Sequence, residues 1–399
     1  MSTVPLREKT VLSSGMLLLL ALACGITVSN VYLSQPILNE IAMSFNVSPD
    51  RAGLVTTLAQ TGYAIGILFI VPSADSLSPR KLSGMLLLLT TVMLLGCGLA
   101  PSLTVLIVAS FFLTLFTVIP QILIPLAVSM AEKGETGRVI GTVQTGLILG
   151  ILLSRTASGF LADVSATWRA SFIVFAVLDA WLLIVLIKWL PLTERSPLSL
   201  KKYVSLLASM PRLLLAYPAL ILSCLMGCLV FAAFSAFWAT LAYYLASPAF
   251  NMNPADIGLF GLWGAAGAML APRAGRLCDR FGVKPVNLLS LLSVACAFIL
   301  FMYTRSYAIP ALVLGVNLLD FGLQSGQIAN QARIFALPGE YRARLNTLYM
   351  VFTFFGGAAG AAAGSYFWSI SGWMAVCQFA LVLLLAALAL LFLIRTSTR

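Results

Sequence analysis

The 399-residue chain is 60% apolar and 9% charged, contains no histidine and carries a formal net charge of +11. So little polar surface cannot cover a soluble fold of this size, and the composition reads as a polytopic membrane protein. A membrane enzyme would want a cluster of Asp, His, Cys or Glu at one membrane face, whereas the 13 carboxylates here are mostly scattered singly through loops.

Apolar runs of about 20 residues, the length needed to cross a bilayer core of ~30 Å, recur along the chain. They are Gly15–Gln35, Gly53–Ala74, Leu82–Ala100, Ser102–Ala131, Val139–Ala162, Ala170–Leu190, Ala219–Leu245, Asp256–Ala274, Pro285–Tyr303, Tyr307–Ile334, Leu345–Trp368 and Trp373–Ile394, twelve in all. The first run is too long for a signal-peptide core and lacks a small-x-small cleavage site, so it is expected to stay as a spanning helix. Of the 24 basic residues, 20 fall at the termini, in loops after even-numbered runs or within the last three residues of those runs; only Arg51, Arg169 and Arg305 lie on the other side, and Arg155 is deep inside the fifth run. By the positive-inside rule both termini are expected in the cytoplasm, and the net charge is topological, with no nucleic-acid partner implied. Six of the seven cysteines lie inside apolar runs and read as small core residues, so neither a disulfide framework nor a metal site is expected. No cofactor is expected either, and no Gly-x-x-x-x-Gly-Lys nucleotide loop is present, so energy would come from an ion or solute gradient.

Taken in order, the first run ends in Ser29-Asn-Val-Tyr-Leu-Ser-Gln-Pro36, where Asn30, Tyr32 and Gln35 either bond between helices or line a wet path. The second, fifth, eighth and eleventh runs carry glycines spaced for close backbone contact, among them Gly146 and Gly150, and Gly356, Gly360 and Gly364. Arg155 in the fifth run needs a partner or water. At 1.5 Å per residue, it and Asp179 on the next run lie at compatible depths, so an ion pair between them is expected. Residues 193–216 break the apolar pattern with Pro197, Lys201, Lys202, Pro211 and Arg212 but keep a helical stripe, as a linker helix on the membrane surface would. In the seventh run Phe231, Phe234 and Trp238 share one face, which either packs against neighbours or walls an organic ligand. In the tenth, Asp320, Gln324, Gln327 and Gln331 share one face that cannot sit against lipid.

One landmark repeats. Gly275-Arg-Leu-Cys-Asp-Arg-Phe-Gly-Val-Lys284 has an eroded copy at Asp75-Ser-Leu-Ser-Pro-Arg80-Lys81; Asp75 to Asp279, Arg80 to Lys284 and Arg138 to Arg342 share a shift of 204, and Trp168 to Trp373 needs 205. A constant offset points to a duplicated chain. The stretch resembles the loop signature Gly-x-Leu-Ala-Asp-Arg-x-Gly-Arg-Lys of the major facilitator superfamily, matched at Gly275, Leu277, Asp279, Arg280, Gly282 and Lys284. The fifth run, Gly146 to Gly159, resembles the glycine-rich signature of its proton-coupled exporters, without the proline after Gly150.

The resemblance implies an all-α integral membrane fold of twelve transmembrane helices in two pseudo-symmetric six-helix bundles, residues 1–192 and 217–399. In such proteins helices one, four, seven and ten surround the pathway, which would place Asn30, Tyr32, Gln35, Gln121, Phe234, Trp238, Gln324 and Gln327 around a substrate cavity. The glycine-bearing helices would form a sliding seam between the bundles. Asp75, Arg80, Gly275, Asp279, Arg280, Gly282 and Lys284 would act as gating loops, with Asp279 meeting Arg138 and Asp75 meeting Asn346. Only Asp179 and Asp320 lie deep, and with Asp179 given to Arg155, Asp320 is the candidate protonation site; its alternative is a permanently protonated acid bonded within the bundle. The expected activity is alternating-access transport of a small organic solute, as proton-coupled efflux of drugs or metabolites by a monomer in the plasma (inner) membrane. Alternatives are uptake of a sugar or organic acid, and, in other classes, a non-transporting receptor or a polytopic enzyme.

Overall fold

The computed structural model describes residues 12–75, 77–132, 135–190, 200–270, 272–304, 309–338 and 341–394. The expected basic positions Arg7, Lys9, Lys133, Arg195, Arg305, Arg395 and Arg399, and the first part of the linker, 193–199, lie outside the described residues.

The described residues are helical throughout, with no strand. Hydrocarbon offers backbone N–H and C=O groups no partner, so a spanning segment must satisfy them internally. The helices in order are α1 (Ser14–Ser29), α2 (Leu38–Phe45), α3 (Pro49–Phe69), α4 (Pro79–Gly98), α5 (Leu103–Phe116), α6 (Pro120–Met130), α7 (Thr136–Ser165), α8 (Arg169–Trp189), α9 (Leu200–Ala216), α10 (Pro218–Ala246), α11 (Pro254–Trp263), α12 (Ala265–Leu270), α13 (Pro272–Phe281), α14 (Val283–Met302), α15 (Ile309–Phe335) and α16 (Arg342–Leu393). Several begin on proline, whose missing N–H is no loss at a helix start. Ten stretches among the described residues are long and apolar enough to cross a membrane, and α1 is a shorter apolar helix. The 52-residue α16 is interrupted at Gly372, whose φ of 70° suits glycine.

Three runs break where continuous helices were expected. The first stops at Ser29 and resumes through a 3-10 turn, Gln35–Ile37, into α2; Pro36 cannot donate to the ladder and its ring would crowd the carbonyl four residues back. The fourth breaks at Thr117 to Ile119 ahead of Pro120, which has no N–H to carry the ladder on and is tolerated at the start of the next helix. The eighth turns at Gly264, between α11 and α12.

The expected glycine seam is redistributed. A Cβ at Gly146 or Gly150 would collide with the backbone of Ala21 or Gly25 on α1, and one at Gly356, Gly360 or Gly364 with Cys228, Ala232 or Ala236 on α10. These glycines therefore bind α1 to α7 and α10 to α16, within the amino-terminal and carboxyl-terminal portions of the chain. They do not lie between those portions. The seam itself uses two glycines of the eighth run, as expected, Gly258 against Arg155 and Thr156 and Gly261 against Leu152, together with Gly159 against Pro254 and Gly258, and Gly53 against Ser365. Glycine spacing shows that something packs closely; it does not say which neighbour does.

The linker helix α9 buries Met210 and Leu213 against Leu220, Leu345 and Leu348. Tyr203 donates to the Phe69 carbonyl (2.6 Å), and Arg344 donates to Ser209 (2.9 Å).

A contrast of substitutions tests this packing. Gly360→Leu is expected to lower thermal stability by about 1–3 kcal/mol, the usual cost of overpacking, because a backbone carbonyl blocks its side chain. Gly137→Leu, with nothing within 4 Å of its Cβ, should melt within about 0.5 kcal/mol of the parent. Equal melting curves for the two variants in detergent would sink the assignment.

Candidate substrate and coupling site

Because α1 ends at Ser29, the stretch from Asn30 to Gln35 runs through the protein interior as turns and presents side chains to both sides. Asn30, Tyr32 and Gln35 are all buried. The Asn30 amide donates to Asp179 (2.9 Å) and to the Thr117 hydroxyl (3.1 Å). Ser158 on α7 donates to the Leu33 carbonyl at 2.6 Å.

Arg155, on the neighbouring turn of α7, is 1% exposed. Its Nε donates to Gln35 Oε1 at 2.8 Å. The guanidinium carbon lies 3.8 Å from the ring centre of Trp238, 4.9 Å from Tyr32 and 5.7 Å from Phe234. Aromatic faces stabilise a cation through the ring quadrupole, more so when it is desolvated. The expected ion pair between Arg155 and Asp179 is not formed: among the described residues the sole ion pair within 4.0 Å is Arg138 with Glu135. Depth along two adjacent helices fixes height but not rotation. Arg155 looks toward α10 and the end of α1, while Asp179 looks toward Asn30 and Thr90.

Asp320 on α15 is 5% exposed and packs against Gly264, at the α11 to α12 turn, where any Cβ would collide with its carboxylate. It lies close enough to Arg155 for each to feel the other's charge, and its Oδ2 has no hydrogen-bond partner. One turn earlier Asn317 donates to the Trp263 carbonyl (2.6 Å) and accepts from the Gly267 amide (2.9 Å), fixing α15 to both sides of that turn. Gln324, Gln327 and Gln331 are half-buried. Gln327 lines a small cleft with Asn287, Asn330, Tyr349 and Thr353, none of which touches Arg155.

The remaining expected residues sort as follows. Phe234 and Trp238 share the wall with Arg155, and Phe231 stacks on Phe234 at 5.5 Å. Gln121 is half-buried, 3.5 Å from the Tyr63 hydroxyl. Gln60 escaped the sequence reading: it is 1% exposed, accepts from Ser235 on α10 (3.2 Å) and packs against Gly357. A lone amide within an apolar run was its only signal.

The loop signature folds as α13, closed by Gly282 at φ 85°. Gly275 meets Ile328, Arg280 lies 5.1 Å over the Phe281 ring, and Lys284 lies 4.5 Å over Phe392. Arg80 is half-buried in the first turn of α4. Asp279 is exposed, and Arg138 bonds Glu135 at 3.0 Å. The expected contact between Asp279 and Arg138 is therefore absent in this conformation. The Asp75 side chain lies outside the described residues.

Away from the basic loops the two portions of the chain touch: Thr156 donates to the Gly258 carbonyl (2.9 Å), and Tyr243 lies 3.4 Å from the carbonyls of Leu38 and Pro49. Toward the basic loops Gly137 and Gly141 have no neighbour within 4 Å of an added Cβ, and Arg138, Gln144, Thr145 and Leu149 are exposed.

The sequence model of the Major Facilitator Superfamily matches residues 16–330 and 223–399. The chain is 37% identical over 366 residues to the uncharacterized transporter YgaY of Escherichia coli, covering 92% of each. It is 28% identical over 211 residues, 51% of this chain and 48% of the relative, to multidrug resistance protein MdtG of Klebsiella pneumoniae. In structure it resembles a bacterial homologue of the human lysosomal transporter Spinster in an inward-facing, occupied conformation, with a TM-score of 0.73 at 15% identity over 96% of this chain and 97% of that one. Fold, sequence model and a relative matched along nearly its whole length agree: the chain belongs to the major facilitator superfamily.

Proposed function

We propose that the protein is a proton-coupled secondary transporter that exports a small organic solute by alternating access, with Asp320 as its protonation site. The observation that carries this reading is the placement of two buried, oppositely charged groups, Arg155 and Asp320, on α7 and α15. They come from the two portions of the chain and both lie against the seam helix α11, Arg155 at Gly261 and Asp320 at Gly264 one turn on. A carboxylate held near a guanidinium without a closed ion pair can exchange that electrostatic partner for a proton, which is what coupling requires. Efflux is the direction favoured by the partial likeness to MdtG.

On this reading α1 with its continuation into α2 supplies one crossing, the residues on either side of Gly372 supply two, and twelve crossings form two six-helix bundles. The bundles are residues 1–192 and 217–399, joined by 193–216. The close contacts of α1 with α7 and of α10 with α16 recur in both portions, as a duplicated chain would produce. The basic loops mark the cytoplasmic face, both termini are cytoplasmic, and the protein works as a monomer in the plasma membrane. The conformation is closed on the outside and open toward the cytoplasm. Asp279 and Arg138, separate here, would meet when the cytoplasmic side closes, and Asp75 would meet Asn346.

Two experiments follow. In liposomes carrying an internal pH dye, Asp320→Asn should abolish uphill, proton-driven transport while downhill exchange continues, and substrate binding should lose its pH dependence. Uphill transport at the parent rate in that variant would remove Asp320 from the coupling role. Cysteine labelling checks the conformation: Thr145→Cys should react with a polar maleimide at least about tenfold faster than Thr156→Cys, since opening free energies separate loose from packed sites. Equal rates would show that the described seam is not the closed one.

A further inference from the structure

The unpartnered buried polar atoms on the side chains that touch Arg155 are all donors, and the unpartnered acceptor in its neighbourhood, Asp320 Oδ2, does not reach it. Both terminal guanidinium nitrogens, Nη1 and Nη2, lack an acceptor, although the residue is 1% exposed. Gln35, whose oxygen is taken by Arg155 Nε, leaves its Nε2 amide without an acceptor, and so does the Trp238 indole N–H, on the ring that lies 3.8 Å below the guanidinium. Donors left unmade inside a protein are costly, and charged donors are the most costly. Four such donors on three contacting side chains call for an acceptor. The cage already holds its own cation, so a cationic solute would meet a like charge there and would have to displace a guanidinium from three aromatic faces.

We infer that Arg155, with Gln35 and Trp238, binds the anionic group of the transported solute, and that the substrates are small organic anions, with the carboxylate or a comparable oxyanion seated on the free edge of the guanidinium. This rests on the transport reading above and gives it a substrate class. Arginine presents two parallel N–H donors in a fixed plane, which matches the two oxygens of a carboxylate. The rings of Tyr32, Phe234 and Phe231 continue the wall beside it and are the surfaces the apolar body of the solute would contact. The ionisable groups facing this guanidinium are Tyr32, its ring within the cage, and Asp320, within range of its charge. Asp320 is thus a competitor: when ionised it serves Arg155, and when neutral it leaves the positive charge to the solute. The competition links anion binding to the proton site without direct contact between solute and proton.

The test uses the purified full-length protein in detergent and one phenyl body in three charge states: phenylacetate, phenylacetamide and phenethylamine. Isothermal titration should detect phenylacetate and give at least about tenfold weaker binding for the amide and the amine, the scale set by loss of a charge-assisted pair. Arg155→Lys, which keeps the charge but loses the fork, should weaken phenylacetate by about tenfold or more. Gln35→Glu guards against a variant that merely misfolds. It places a resident carboxylate against Arg155, so it should raise the melting temperature and abolish phenylacetate binding. The inference is overturned if the three probes respond alike, including not at all, if phenethylamine binds best, or if Gln35→Glu lowers the melting temperature or leaves anion binding intact. Flux assays separate this from the transport reading. Anion binding without any flux would leave the site standing and remove the transporter role. Proton-coupled flux of the amine or amide, unaffected by Arg155→Lys, would do the reverse.

Discussion

The site depends on one constraint: a guanidinium buried where water does not reach must be satisfied by the protein around it. The protein meets that demand in part, with one hydrogen bond and three aromatic faces, and these set requirements on several elements. Gln35 reaches it because α1 stops at Ser29 and the following turns carry the chain inward. Trp238 and Phe234 reach it because α10, among the most deeply buried of the spanning helices, turns its aromatic stripe toward α7. Gly258 and Gly261 on α11 let that helix approach the Arg155 turn without side chains of their own. Burying an arginine in this way requires close approach from three directions, and the local excess of glycine and aromatic residues supplies it.

Around this point the chain is built from two kinds of contact. Where α1 meets α7 and α10 meets α16, backbone lies against backbone through successive small residues, so those pairs behave as rigid units. Between the portions α3 packs on α16 and α7 on α11 through small residues as well, Gly53 against Ser365 and Gly258 against Arg155 and Thr156, and hydrogen bonds are added by one threonine hydroxyl on a carbonyl, one tyrosine hydroxyl near two carbonyls, and Gln60 with Ser235. Hydrogen bonds of this kind are individually worth about 1 kcal/mol net. On the proposed alternating-access reading, the small-residue contacts and these few hydrogen bonds across the seam are what the motion must break and remake.

The helical architecture was legible because the bilayer leaves a spanning chain little choice, and the polar stripe of α15 stood out for the same reason. The interruptions at Pro36, Thr117 and Gly264 were less legible, since run length alone conceals a break that costs only a few backbone hydrogen bonds. The partner of Arg155 could not be read, because helical rise gives depth while the choice between Asp179 and the Gln35 side depends on rotation of α7 about its axis. The glycines failed similarly: their spacing announced a close neighbour, and which neighbour it was is tertiary information. Gln60 was missed because one amide in a run makes no pattern. Asp320 was found because four polar residues do.

The stretch from Asn30 to Gln35 joins the two buried charges of the amino-terminal portion. At one end Asn30 holds Asp179 and Thr117, and at the other Gln35 holds Arg155. Neither residue could serve from a regular helix that continued through Pro36, and irregular backbone at this depth is tolerated because protein, not lipid, surrounds it. A shift of α1 relative to α7 would therefore disturb both charges together, whereas a change at Arg155 can be felt at Asp179 without any direct contact between them. If Gln35 and Arg155 seat the solute as proposed, the turn that carries Gln35 is part of the site, and occupancy of the site would bear directly on the position of α1.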